Sequence, residues 1–355
     1  MITLRDIAIE SGYSKTAVWL SLKDNPRIPE KTRMKIKEVA KNIGYKPNAA
    51  YEQMLRQVRL AKEISYRATV ALVHAFDIPD PEKRNPYHRE LVKGVRSQAK
   101  NLGYEVETFW AKQPNMRGER LSQILRSRGI RGIIVAPMPT HRTLDLDWDK
   151  FAAVTIGHSL TEPRLNLVEV NNQQAMALSL KKLHEKGYRK IGVVMRPDHE
   201  DIMRYGLSVP YLWMQSQLKK EDRSEIFLID PSDPSSFFDW FGSNNFEALV
   251  TTHTHVVDWL KKSGYSIPED VGIVFPTPVY EYMDYAHVNQ MPYNVGTAVV
   301  DMLNAQLNRD EYGCPSNPKV AYTDVDWCEG NSLRTIADVD ERALLQSVFY
   351  GGEES

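Results

Sequence analysis

Lys15 and Thr16 open a short helical pattern, and Trp19 follows one turn beyond Lys15 on the same face. A lysine ammonium donates to guanine acceptors, and a threonine offers a hydroxyl and a methyl to either hydrogen-bonding base edges or a thymine methyl. The indole of Trp19 leaves three readings open: N–H donation to a phosphate, contact with a thymine methyl, or packing against a neighbouring helix. Thr3, Ser14 and Thr32 carry hydroxyls at or near helix starts, where phosphate contacts fix register without reading bases. Arg5 adds a cation of the same anchoring kind.

These residues need a small rigid frame, and the first fifty residues spell one out. Asp6 stands three residues after Thr3, so the two can reach each other as a capping box. Gly12 permits a tight turn, and Ser14 can cap a second helix running to about Leu22. Pro29 suits the first turn of a third helix with Ile36, Val39, Ala40 and Ile43 as its apolar stripe, and Gly44 ends it. Two helices joined by a glycine-bearing turn make a helix-turn-helix, whose second helix enters a major groove.

Charge agrees. Residues 1–60 hold twelve Lys and Arg against six acids, a net of +6, so a whole chain at −1 leaves the remainder at −7. A basic head on an acidic body is the signature of a polyanion-binding module joined to a separate domain. The chain of 355 residues is long enough for a head and a two-lobed core, and its 42% hydrophobic and 26% charged content is that of a globular protein. Cys314 and Cys328 are the only cysteines, which implies no disulfide framework and fits a reducing, cytoplasmic setting. Met1 leads straight into a polar capped helix, without a signal-peptide core or a membrane-length apolar run, so no membrane association is expected.

From Ala68 onward β-rich runs alternate with helical segments. Expected strands are Val70–His74, Tyr104–Phe109, Gly132–Ala136, Ala153–Ile156, Ile191–Met195, Ile226–Ile229, Ala248–Thr252 and Val271–Phe275; expected helices include His88–Leu102, Gln173–Lys186 and Val256–Lys262. Solidly apolar strands alternating with helices give an α/β architecture of parallel sheets covered on both faces. The last stretch, Asp340–Phe349, is long enough for a short helix and too short for a stable coiled coil.

The stretches Thr3-Leu4-Arg5-Asp6-Ile7-Ala8, Gly12-Tyr13-Ser14, Thr32-Arg33 and Ile43-Gly44-Tyr45-Lys46-Pro47-Asn48-Ala49-Ala50 resemble the headpiece of the lactose-repressor (LacI/GalR) family, in order and without a gap. The rest of the chain resembles that family's effector-binding core. The resemblance implies a helix-turn-helix headpiece over 1–47, a hinge helix and linker over 48–66, a two-lobed periplasmic-binding-protein-like core over 67–340 and a tail over 341–355. It places an N-lobe at about 67–161 and 291–318 and a C-lobe at about 162–290 and 319–340. The three crossovers are expected near Leu160–Pro163, near Gln290 and near Pro318–Val320.

The implied function is that of a transcriptional regulator, a repressor, which binds a pseudo-palindromic double-stranded DNA operator as a homodimer and answers to a sugar-like effector between the lobes. In the hinge, Asn48 caps, and Met54 stands where the family has a leucine that wedges into a base step; Tyr51 and Glu52 depart from its small and basic residues. Trp19-Leu20 likewise departs from the family's usual small hydroxyl and polar pair. A hinge that serves only as a tether stays open as a reading.

Ligands of open parallel sheets sit at the carboxyl ends of strands. The loops there supply His74, Phe76, His253 and Thr277, and Tyr87 follows the family's Asn-Pro start of the first core helix. Arg204 lies at the family's spacing from Ile191, where an arginine grips ligand; a surface ion pair with Glu200 or Asp201 is the alternative. His253-Thr254 and Thr277 replace residues of the family's sugar clamp, Thr277 an aspartate. Tyr87 is read equally as a stacking or a packing residue.

His74, His158 and His253 have no paired ligand spacing, so no metal or cofactor is expected. No Gly-rich phosphate loop, nucleophile elbow or His-Glu-x-x-His helix occurs, so the chain is not expected to be an enzyme. A stand-alone sugar receptor is the competing class, and the basic head argues against it.

Overall fold

In the computed structural model, the residues described are 4–22, 24–45, 68–116, 118–138 and 142–336. Helices α1 (Leu4–Ser11), α2 (Lys15–Leu22) and α3 (Glu30–Asn42) form the head. Ile7, Val18, Ile36 and Ala40 are buried together, with Val39, Ile43 and Tyr45 packed around them, which is the apolar stripe expected of the third helix. The Ser14 hydroxyl accepts from the Ala17 N–H at 3.2 Å, capping α2, and Gly12 and Gly44 hold the positive φ values their turns need.

The core holds two six-stranded sheets. Its strands are β1 (Ala68–His74), β2 (Tyr104–Trp110), β3 (Gly132–Val135), β4 (Arg142–Thr143), β5 (Ala152–Ile156), β6 (Leu160–Glu162), β7 (Asn166–Val170), β8 (Ile191–Met195), β9 (Phe227–Leu228), β10 (Ala248–Thr251), β11 (Gly272–Phe275), β12 (Ala286–Asn289), β13 (Val320–Thr323) and β14 (Asp326–Cys328). The first sheet runs β13-β7-β5-β3-β1-β2, wholly parallel; the second runs β14-β12-β11-β10-β8-β9, parallel except for β14 at its edge. The antiparallel β14 departs from the purely parallel expectation. Strands β4 and β6 pair apart from both sheets.

Helices α4 (Pro86–Asn101) and α11 (Pro292–Asn308) cover one face of the first sheet, and α5 (Gly118–Ser127) the other. On the second sheet, α6 (Asn172–Glu185) and α8 (Ser208–Gln217) cover one face, α9 (Pro234–Asn244) and α10 (Thr254–Lys262) the other. A short α7 (Pro197–Ile202) precedes α8. Four buried apolar clusters, one on each sheet face, explain why the strands read as solid apolar runs.

Two crossovers differ from expectation. β7 pairs with β5 and β13 with β7, so both belong to the first sheet. The chain therefore first leaves that lobe after Val170, not at Leu160–Pro163, and last leaves it after Thr323, not at Pro318–Val320. Pro163 looked like an exit, but the turn around it returns the chain to the same sheet. The lobe limits at 161/162 and 318/319 are corrected accordingly. The middle crossing lies between β12 and α11, around Gln290.

Helices α4 and α11 meet backbone to backbone. A Cβ on Gly94 would come within 2.1 Å of the Tyr293 carbonyl oxygen, and one on Gly296 within 2.3 Å of the Leu91 carbonyl oxygen. Gly242, in α9, has nothing within 4 Å of such a Cβ. Urea unfolding should show Gly94→Ala losing about 2 kcal/mol by overpacking. Gly242→Ala should gain roughly 0.5–1 kcal/mol from helix propensity. Equal responses would show that the crossing accommodates side chains.

Candidate functional site

The head presents an exposed face on α2. Ser14, Thr16 and Trp19 are exposed there, while Val18 on the opposite face is fully buried against α1 and α3. Trp19 lies outside the buried cluster, with about a third of its surface exposed (36%). Thr32, half-buried in the first turn of α3, donates its backbone N–H to Pro29. Arg33, which follows it in the headpiece motif, serves the fold. Its guanidinium donates to the carbonyls of Asn25 and Ile28, each at 3.2 Å, and ties down the loop between α2 and α3. Lys37 pairs with Asp24 at 2.5 Å. Part of the head's positive charge thus holds the fold. Thr3, Asn48, Tyr51, Glu52 and Met54, the hinge helix and the tail lie outside the described residues, as do the side chains of Arg5 and Lys15.

A second polar site forms where the lobes join. His158 follows β5, and its Nε2 lies 2.7 Å from Glu169 Oε2 on β7. Glu169 Oε1 accepts from Asn172 Nδ2 at 3.3 Å, and Asn172 Oδ1 accepts from Gln290 Nε2 at 3.5 Å. The Thr323 hydroxyl donates to the Glu169 carbonyl at 3.4 Å. Each of the three crossovers therefore contributes to one hydrogen-bonded junction. Beside it opens a cavity of about 140 Å³, lined by His158, Glu169, Asn171, Asn172, Gln173 and Arg204, among others.

Arg204 reaches this cavity from between α7 and α8. Its φ of 52° and that of Tyr205, 60°, are both left-handed. Non-glycine residues in that region cost about 1–2 kcal/mol each, which marks a locally strained presentation. The alternative ion pair with Glu200 is ruled out by position: that carboxylate is buried and accepts from the Ser208 N–H at 3.2 Å. Burial raises its pKa, and the Ser208 hydrogen bonds oppose this.

The other expected ligand residues do not share this cavity. His74 ends β1, fully buried, with Nε2 3.0 Å from the Pro79 carbonyl and Nδ1 lacking a partner. It lines a separate cavity of about 140 Å³ with Lys112 and Met138. Phe76 is core: His74, His88 and the Arg84 guanidinium surround its ring, the last at 4.5 Å. Tyr87 sits at the lobe boundary, where the Tyr280 hydroxyl from the second lobe hydrogen-bonds its backbone. Burial, then Tyr280 and Glu169, raise the Tyr87 phenol. His253 caps α10, its Nδ1 accepting from the His255 N–H at 3.3 Å, and Thr277 is half-buried. Glu169 and Asn172 escaped sequence reasoning. The available signal was an acid inside the apolar strand Asn166–Val170, since a buried carboxylate needs partners.

Residues 3–48 match the family model described as "Bacterial regulatory proteins, lacI family". The head of this chain is of the LacI-family type. It is 22% identical over 290 residues to the HTH-type transcriptional repressor CytR of Escherichia coli, covering 77% of this chain and 79% of the relative. It is 21% identical over 316 residues to the ribose operon repressor of Lactococcus lactis, covering 85% and 90%. Its fold is similar to that of the transcriptional regulator CelR in complex with cellobiose (TM-score 0.56, 19% identity, 94% of this chain and 100% of that one). The lac repressor dimer bound to operator and the anti-inducer ONPF gives a TM-score of 0.53 at 14% identity, covering 94% and 99%. These relatives are named repressors and regulators, not enzymes, and with the matched head they support a DNA-binding regulator. Among the described residues no helix is long and apolar enough to cross a membrane, and no group of three or more His, Cys, Asp or Glu could hold a metal.

The buried histidines give a pH prediction. Burial, then Arg84 and His74, push the His88 pKa down to about 3, while its Nδ1 stays 2.7 Å from Asn85 Oδ1. Burial also lowers His74 and His184. In the unfolded chain each takes a proton near 6.5. Stability is therefore fully present above that pH and falls as the pH drops below it, for His88 down to about 3 and by up to about 1.4 kcal/mol per unit. Urea titrations at pH 7.5 and 5 should show this loss, and His88→Gln should shrink the difference between the two. An unchanged difference would remove His88 from the account.

Proposed function

We propose that the chain is a ligand-controlled repressor that binds a pseudo-palindromic operator as a homodimer. The exposed α2 face carrying Ser14, Thr16 and Trp19 is the observation that supports base reading, with Lys15 on the same helix. In this reading Lys15 and Thr16 read bases, Trp19 adds an indole contact, and Thr3, Arg5, Ser14 and Thr32 anchor phosphates. Asn48, Tyr51 and Met54 belong to a hinge that enters the minor groove. One small head offers little surface for tight specific binding, and two half-sites add their contributions. The lac repressor structure named above is a dimer on its operator, which is the arrangement carried over here.

A small polar effector, a sugar or a sugar derivative, occupies the cavity between the lobes and is held by Arg204. The CelR structure holds cellobiose, and the ribose operon repressor is named for its operon; both support a saccharide-related ligand. The resemblance also assigns His74, Phe76, Tyr87, His253 and Thr277 to the effector site, and none of them lines this cavity. Occupancy changes the closure of the lobes and so the spacing of the two heads, coupling ligand to DNA through differential affinity for two states.

With roughly 6–10 phosphate contacts per dimer, operator affinity should fall by about three to five orders of magnitude between about 50 and 200 mM salt. Titrations on operator variants selected from genomic fragments should show Lys15→Ala relaxing preference at particular positions, and Arg5→Ala weakening all sequences alike. A flat salt plot, or identical effects of both substitutions, would overturn the assignment of roles. Sedimentation should report a dimer at micromolar concentration; a monomer that binds DNA one head at a time removes the palindromic reading.

For the cleft, a saccharide that shifts the thermal midpoint should also shift operator affinity, and Arg204→Ala should weaken both effects at least tenfold. A hit that stabilises Arg204→Ala in full places the site elsewhere.

A further inference from the structure

The walls of the crossover cavity differ in sign from a hydroxyl-clamping sugar site. Such a site holds neutral polyols with carboxylate acceptors, because a charged acceptor strengthens each O–H hydrogen bond. Glu169 is the single carboxylate among the described residues lining this cavity, and its two oxygens are already engaged, one by His158 and one by Asn172. The strand-end residues Thr252, His253 and Thr277 of the second lobe add no acid.

The positive side has no such internal answer. Arg204 is exposed and forms no ion pair with any described residue, and the carboxylate four positions before it is turned into Ser208. Asn171, Asn172 and Gln173 line the same cavity and are the start of α6, a helix of 14 residues whose N-cap, Asn171, accepts from the Gln174 N–H at 3.0 Å. The amino end of a helix carries partial positive charge and favours anions. The backbone secures this geometry. A Cβ on Gly206 would meet Asn172 Cβ at 2.9 Å, so the turn that presents Arg204 lies directly against the first turn of α6. At about 140 Å³ the cavity corresponds to roughly five waters at about 30 Å³ each, enough for the carboxylate end of a small ligand.

We propose that the effector of this cavity is an anion, a carboxylate-bearing polyol such as a sugar acid, with its carboxylate on Arg204 facing the start of α6 and its hydroxyls toward Asn172 and His158. The inference rests on the reading of this cavity as the effector site and narrows it from a polar to an acidic ligand. The planar guanidinium fork matches a carboxylate with two parallel N–H···O bonds, which no neutral hydroxyl reproduces.

The test uses the full chain at constant ionic strength, with thermal shift and calorimetry on matched pairs at millimolar concentration: D-glucuronate and D-glucose, D-galacturonate and D-galactose, D-gluconate and D-glucitol. At least one acid should bind ten-fold or more tightly than its neutral partner. Arg204→Gln should erase that advantage, and Arg204→Lys, which keeps the charge and loses the fork, should restore part of it. A neutral member that binds as well as its acid, and is lost in Arg204→Gln, overturns the anionic assignment while the cavity remains the effector site. A ligand of either kind that binds undiminished to Arg204→Gln removes the cavity reading itself. Failure of every acid to bind more tightly than its neutral partner also overturns the anionic assignment.

Discussion

Three segments of chain cross between the lobes, and the carboxylate of Glu169 lies where they meet. A charge withdrawn from water in this way is tolerable only when its oxygens are satisfied. His158 and Asn172 satisfy them, Asn172 is held in turn by Gln290, and Thr323 closes the group from the last crossing. One residue thus links the end of β7, the start of α6, the segment after β12 and the end of β13. Any rotation of one lobe against the other must move this network, because its members stand on both sides of the division. A ligand in the adjoining cavity therefore acts on the same atoms that set the relation of the lobes.

The strain around Arg204 belongs to the same design. Two consecutive left-handed residues interrupt what would otherwise be one helical run from α7 into α8, and Gly206 closes the turn against Asn172. Local energy is given up so that a guanidinium reaches the junction rather than the outer surface of the helix. Tyr280 reaches across to the backbone at Tyr87 from the other side, so contacts between the lobes bracket the cleft. Phe76, with its ring enclosed by His74, His88 and Arg84, belongs to the core of the first lobe rather than to a binding surface.

The head follows a different logic. Its core is four buried side chains, so caps and loop ties matter in proportion. Ser14 caps α2, Arg33 fixes the loop before α3 through two carbonyls, and Lys37 holds Asp24. Two of the cations that make the head basic, Arg33 and Lys37, are thus used twice over, for the fold and for the field around it. That leaves the α2 face, with its hydroxyls and an exposed indole, as the outward polar surface of the head.

Local information was enough for most of the elements. The cap at Ser14, the stripe of α3 and the solid apolar runs of β1, β3, β5, β8, β10 and β11 are written in contiguous residues, because helices and buried strands take their character from nearest neighbours and period. The family's headpiece was legible for the same reason. Partners across the sheet were not. Asn166–Val170 and Val320–Thr323 are short and sit beside proline, and only their pairing with each other and with β5 assigns them to the first lobe and moves two crossovers. Glu169, His158, Asn172 and Gln290 are scattered over more than a hundred positions, so their junction exists only once both sheets are built. Spacing alone picked out Arg204. That it, rather than His253 or Thr277, shares a cavity with that junction was decided by the left-handed turn before α8, a backbone choice set by contact with α6 and invisible in residue types.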